Sequence, residues 1–184
     1  MSNVEQKLQA MGLKLPACPA PVAAYLPVQT AGNLIYASGQ TAWVDGKLLY
    51  AGKVGGDVSI ADAYESAKIS AVNCLSAIAT VADLDHIRIV RVHGWVNGVP
   101  DFGDQPAVVN GASELLEALY VAAGIGSVIA YKASIAGASG GCQAEIGTAS
   151  AMAAGALVAL RGGEGEQIGH AVAMALKNLM GLVC

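Results

Sequence analysis

The sequence predicts an α+β protein: two helices on one face of a largely antiparallel or mixed sheet, followed by a helical C-terminal extension. Three observations carry that class. Apolar residues recur at steps of three and four from Ser59 to Ala82, polar and apolar residues alternate from Ile87 to Asn97, and beyond residue 120 the chain turns rich in Ala and Gly.

Taken in order, Asn33 to Ser38 reads as a strand. Trp43 to Tyr50 reads as a hairpin turning at Asp45-Gly46, a pair that suits the positive φ angles of a tight turn. Ser59 caps a helix whose stripe is Ile60, Tyr64, Ala67, Ala71, Leu75, Ile78 and Ala82, with Asp62 placed to complete a capping box. In Ile87 to Asn97, Val90, Val92 and Val96 alternate with Arg91, His93, Trp95 and Asn97, which predicts a strand with one apolar and one polar, aromatic face. Pro106 suits a first helical turn, and Val108, Ala112, Leu115 and Leu119 share one face of the helix that follows. Ser127 to Ile135 is expected to be a buried strand, and Gly137 to Cys142 a flexible link. Ala149 to Leu160 and Glu166 to Met180 are expected to be helices, the latter with Ile168, Val172, Ala175 and Leu179 on one side.

At 184 residues the chain is long enough to bury a sizeable core. Hydrophobic residues make up 54% and charged residues 13%, and the net charge is -4 with no basic cluster, so nucleic acid and anionic membranes are not expected partners. The longest charge-free stretch, Leu15 to Val44, is broken by Pro16, Pro19, Pro21 and Pro27, and the other apolar runs fall short of the roughly 20 residues a bilayer requires. The polar start, Met1 to Gln9, lacks the basic and apolar regions of an export signal, so a cytoplasmic location is expected. Cys18, Cys74, Cys142 and Cys184 show no C-x-x-C pairing, and structural disulfides are not expected in a reducing compartment.

Few residues point to chemistry. His86, His93 and His170 lack a metal-ligand spacing. Ser38, followed by Gly39, ends a strand where a hydroxyl and neighbouring backbone N–H groups can face a ligand. No G-x-S-x-G elbow surrounds it, and the local pattern by itself favours a strand-terminating turn.

Larger patterns carry more. Pro21-Val-Ala-Ala-Tyr25, Leu34-Ile-Tyr-Ala-Ser-Gly-Gln40, Gly52-Lys-Val-Gly55, Gly94-Trp-Val-Asn97 and Phe102 to Ser113 occur in the order and spacing of the RidA/YjgF family, which the chain resembles over about residues 15 to 120. The resemblance implies a RidA-like (chorismate-mutase-like) sheet with two helices on one face, and a homotrimer with ligand clefts between subunits. It also implies cofactor-free hydrolysis of small imines and enamines such as 2-aminoacrylate. Tyr25, Ser38, Gly39 and Asn110 match substrate-binding positions of that cleft. The family's carboxylate-binding Arg does not carry over: its place reads Gly124-Ile-Gly-Ser-Val128, and none of these side chains offers a bidentate grip. Deamination of 2-imino acids is therefore expected to be impaired.

From about Ile125, Lys132 to Gly147, then Ala151-Met-Ala-Ala154 and Gly181-Leu-Val-Cys184, resemble the iron-sulfur L-serine dehydratase α chain, which converts serine to pyruvate and ammonia. Cys142 and Cys184 match positions that in such enzymes help hold a [4Fe-4S] cluster acting as a Lewis acid. Two thiolates make an incomplete ligand set, so the expectation is no cofactor and no metal, with the cluster as the alternative. The resemblances divide the chain into a RidA-like domain, 1–124, and a dehydratase-like fragment, 125–184. The fragment would complete the sheet with 127–150 and be helical from 150 on. Cys142 to Ser150 would then replace the family's last strand and bring Glu145 to the position of its water-positioning catalytic Glu. The alternative is that Glu145 is simply a carboxylate at a helix start. A non-catalytic binding or assembly module is the remaining reading.

Overall fold

The computed structural model describes residues 3–21, 23–135 and 137–180. It forms two compact units, one of Leu15–Leu115 and one that joins Asn3–Lys14 to the chain from Leu116 onward. The division falls between 115 and 116 rather than at 124, and the N-terminal residues go with the C-terminal unit.

In the first unit β1 (Val28–Ala31) and β2 (Leu34–Ala37) pair antiparallel, Val28 opposite Ala37 and Ala31 opposite Leu34. A second hairpin pairs β3 (Trp43–Val44) with β4 (Lys47–Leu48). Its turn falls at Asp45 and Gly46, with φ of 48° and 76°, the left-handed geometry that the Asp-Gly pair accommodates. Helix α2 (Ile60–Ala79) begins at Ser59, whose Oγ accepts the Asp62 backbone N–H at 3.1 Å. The Asp62 carboxylate receives the Ser59 hydroxyl at 2.8 Å. A core of Val54, Val58, Ala63 and Val108, with Ala67, Val96 and Phe102 against it, closes the loops onto α2 and the start of α3 (Gln105–Lys132).

Two expectations for this unit are corrected. The sheet is present as two separate two-stranded hairpins among the described residues, not as one continuous surface. Ile87 to Asn97 joins neither; only Val54 bridges beyond it, to Gly98. Alternation alone therefore did not make a strand here, because a strand also requires a partner to take its N–H and C=O groups. Val90 and Val92, expected on the buried face, are 77% and 44% exposed.

The helical unit departs further from expectation. Helix α3 runs unbroken for 28 residues, so the strand expected from Ser127 to Ile135 is helical as far as Lys132. No proline interrupts 107–135, and the segment expected to be buried is exposed, with Val128 at 60% and Tyr131 at 89%. Ala118, Ala122 and Ala156 form the core with Met11, Met152 and Leu160. Gly126 lets α3 approach Met152, whose Sδ would lie 2.7 Å from an added Cβ. Cys142 to Ser150, expected to replace a strand, lies inside α5 (Cys142–Leu160), after the single-turn α4 (Gly137–Gly140). Among the described residues the 127–150 segment thus contributes no strand to either sheet. Helix α6 (Gly165–Leu179) starts with a capping box between Glu164 and Gln167, and places Ile168 and Val172 against Gly155 of α5. Helix α1 (Asn3–Ala10) packs within this unit through Leu8, which has no exposed surface.

Among the described residues α3 is also long and apolar enough to cross a membrane, by length and composition only. The sequence expectation was that the apolar runs are too short to span a bilayer, with a helix after Pro106 and a separate strand from Ser127 to Ile135. On this helix Leu115 and Ala118 have no exposed surface, whereas Val128 and Tyr131 are 60% and 89% exposed.

Candidate functional site

The residues singled out from the sequence fall in both units. The end of the β1–β2 hairpin brings two of them close in the chain's path. Ser38 donates its hydroxyl to the Leu26 carbonyl at 2.6 Å, and its backbone N–H to the Pro27 carbonyl at 2.9 Å. That double clasp holds 38–39 beside the turn that carries Tyr25, itself 37% exposed, with its backbone N–H on the Ala23 carbonyl at 2.9 Å. The Ser38 hydroxyl is thus a positioning group, and nothing crowds the space above Gly39. Asn110 lies exposed on the second turn of α3, in the same unit.

Glu145 stands in the first turn of α5, exposed, in the helical unit. The strand that was to present it as a water-positioning base is a helix, which corrects the basis of that expectation. Its place fits the alternative, a carboxylate near the positive end of a helix dipole. Arg88 and Arg91 are exposed on 87–97.

A group that sequence reasoning missed is centred on Tyr64. Its hydroxyl donates to Glu114 Oε2 at 2.7 Å, and Lys68 Nζ stands 5.3 Å from the ring centre while pairing with Glu65 at 2.7 Å. Gly111 makes this possible, because a Cβ there would lie 2.1 Å from the Tyr64 carbonyl oxygen. Burial, then the hydrogen bond and charge of Glu114, push the Tyr64 hydroxyl up to about 12. The Tyr64–Lys68 spacing of four was the available signal; the partner on α3 had none. Since the folded state prefers the protonated phenol, its contribution to stability is complete below pH 10 and is lost as pH rises to 12. Urea titrations across that range should show stability falling in the parent and a shallower fall in Tyr64→Phe.

Asn73 and Cys74 tie α2 to the second hairpin. Asn73, 1% exposed, donates to the carbonyls of Thr41 at 2.9 Å and Trp43 at 3.0 Å. Burial pushes the Cys74 thiol up, with a backbone hydrogen bond from Gln40 acting the other way.

Fold and residues together define a two-part α+β protein: a hairpin-and-helix unit with a polar hairpin end, and a helical unit built on small residues. The chain belongs to the family of protein TCP17 of Trypanosoma cruzi, to which it is 32% identical over 120 residues, covering 64% of this chain and 75% of that protein. The solved structure of Atu1372 from Agrobacterium tumefaciens, a protein of unknown function, is similar with a TM-score of 0.57 and 39% identity, over 63% of this chain and 73% of that one. Residues 98–184 match the family model of the Serine dehydratase alpha chain. The L-serine dehydratase α chain of Peptoniphilus asaccharolyticus is 59% identical over 61 residues, 33% of this chain and 21% of that protein. The chain spans a third or less of the length of the dehydratase α chains it matches first.

That match overturns the expectation of a protein without a cofactor, since the dehydratase α chain is the family associated above with an iron-sulfur cluster. The described residues nevertheless do not fit one. Cys142 is exposed and free at the first position of α5, and no group of three or more His, Cys, Asp or Glu side chains converges among the described residues. Cys184, the second thiolate of the resemblance, lies outside the described residues. A cubane cluster is held by four ligands, so Cys142 by itself makes no cradle.

Proposed function

We propose that the chain is a partial L-serine dehydratase α chain, working in the cytoplasm, whose helical unit serves serine deamination to pyruvate and ammonia only with ligands supplied from outside it. The match over 98–184 carries this reading. The small-residue packing of α3 against α5 supports it, because it gives that segment a core of its own. After anaerobic treatment with iron and sulfide, the full chain should form no pyruvate from L-serine. It should form pyruvate once co-expressed with a dehydratase α chain that lacks the matching segment. Pyruvate from the chain unaided, or none from the pair, overturns the proposal.

A second reading is favoured by the Ser38 clasp beside Tyr25. In it the first unit is a RidA-like subunit of a homotrimer that binds small imines, enamines or 2-keto acids through Tyr25, Ser38, Gly39 and Asn110. The similarity to TCP17 and Atu1372 over nearly two-thirds of the chain supports a fold shared beyond the dehydratase segment. Without a guanidinium at 124–128, hydrolysis of 2-iminopropanoate should be slow. Sedimentation at three times the chain mass of 18.5 kDa is the expected result, and a monomer would sink this reading.

A further inference from the structure

We propose that the exposed side of α3 is a contact for a second copy of this chain, the two helices crossing antiparallel at Gly124. This contact rests on neither reading above, and it lies wholly in the helical unit, which takes α3 from Leu116 onward. At about 100° per residue, Glu117, Tyr120, Gly124, Val128, Tyr131 and Lys132 fall within about 120° of the helix circumference. All of them are exposed, Tyr120 by 47%, Val128 by 60% and Tyr131 by 89%. The packed side is the opposite one: Ala118 and Ala122 meet Ala156 of α5, and Gly126 approaches Met152. Helix α3 therefore carries apolar residues on two sides, and among the described residues only one of them is covered.

Charge names the occupant. No charged residue falls between Glu117 and Lys132, so the apolar face is bounded by opposite signs. Neither residue is ion-paired among the described residues. A second α3 laid antiparallel sets its Lys132 against Glu117 and its Glu117 against Lys132, so the face is complementary to itself at both ends. Laid parallel, the same face sets like charge against like. Space agrees with charge. The midpoint of the uncharged run falls at 124–125, where a Cβ added to Gly124 meets nothing within 4 Å. A glycine at the crossing lets two helix axes approach to the short end of the usual range of roughly 8–10 Å. Tyr131 of one copy then comes beside Tyr120 of the other, which removes both rings from water. One helix from each copy buries less than the roughly 800 Å² per partner of a standard interface, so dilution dissociates the dimer.

The test is sedimentation equilibrium of the full chain over a dilution series reaching about 200 μM, a range that reads micromolar affinities. The mass should rise from 18.5 kDa toward twice that value. Gly124→Leu fills open space and replaces a glycine inside a helix, so the thermal midpoint should not fall, while association weakens about tenfold or more. Glu117→Lys and Lys132→Glu should each weaken association about threefold to tenfold, because each reverses both symmetry-related pairs. The double exchange should restore it to within about twofold, a rescue that only antiparallel pairing gives. If the first unit trimerises, pairing through α3 shows as six copies, which Gly124→Leu reduces to three. A monomer throughout the series overturns the proposal, including one that binds phosphatidylcholine vesicles or a dehydratase α chain instead. So does association that Gly124→Leu leaves intact, or a double exchange without rescue. A trimer indifferent to these variants overturns this contact and upholds the homotrimer, and pyruvate is not read, so the failures are distinguishable.

Discussion

Replacing Gly111 by Ala lowers the stability of the first unit by about 2–3 kcal/mol, the range of overpacked cores. The new methyl would sit 2.1 Å from the backbone oxygen of Tyr64. Backbone cannot swing aside as a side-chain tip does, so α2 and α3 must separate by about an ångström or more. That movement also stretches the 2.7 Å bond from Tyr64 to Glu114, and so removes the cause of the raised phenol pKa. Urea unfolding followed by circular dichroism gives the stability change, and ultraviolet titration of the tyrosinate should move the Tyr64 transition down toward 10. A stable variant with an unmoved transition would show that the two helices are not in contact at Gly111. Alanine normally favours a helix over glycine by about 1 kcal/mol, so a loss here isolates the steric term from propensity.

The second large effect is expected at Asn73. Changing it to Ala removes two hydrogen bonds from a side chain that is 1% exposed; the Trp43 carbonyl loses this donor, while the Thr41 carbonyl keeps the Trp43 N–H at 2.8 Å. A buried polar group left unsatisfied costs about 1–3 kcal/mol, so a loss of that size is expected, reduced to the extent that water reaches the Trp43 carbonyl. Asn73→Asp should do no better, because a carboxylate supplies no N–H donor. Hydrogen exchange is the discriminating measurement. The amides of the Trp43–Leu48 hairpin should lose protection before those of α2, because the hairpin's two short strands have few ladder bonds of their own. Uniform loss across both elements would mean that Asn73 supports the core generally and does not pin the hairpin.

What was legible in the residues divides along physical lines. Ser59 announced the start of α2 because an N-cap acts within one turn, and Asp45-Gly46 announced a hairpin because tight turns are set by two residues' φ and ψ. The α6 helix was read from its apolar spacing, starting at Glu166, and its Glu164–Gln167 capping box emerged only in the structure. The candidate residues Tyr25, Ser38, Gly39 and Asn110 came from motif order, and the structure places all four in one unit. Their neighbours were not legible: the Tyr64–Glu114 bond joins residues 50 apart, and no local pattern encodes it.

The errors share one cause. Ile87 to Asn97 alternates like a strand and Ser127 to Ile135 is rich enough in Val and Ile to read as one, yet neither joins a ladder. The sequence by itself determined the caps, the turns, the composition boundary near residue 120 and the likeness of the last third to a dehydratase α chain. Only the tertiary structure decided that 105–132 is one helix, that Cys142 and Glu145 ride on α5, and that α1 belongs with the helical unit. Caps and turns are settled by bonds within a few residues. Whether an apolar run becomes strand or helix is settled by what lies across from it, here Met152 and Ala156 from a part of the chain thirty residues away.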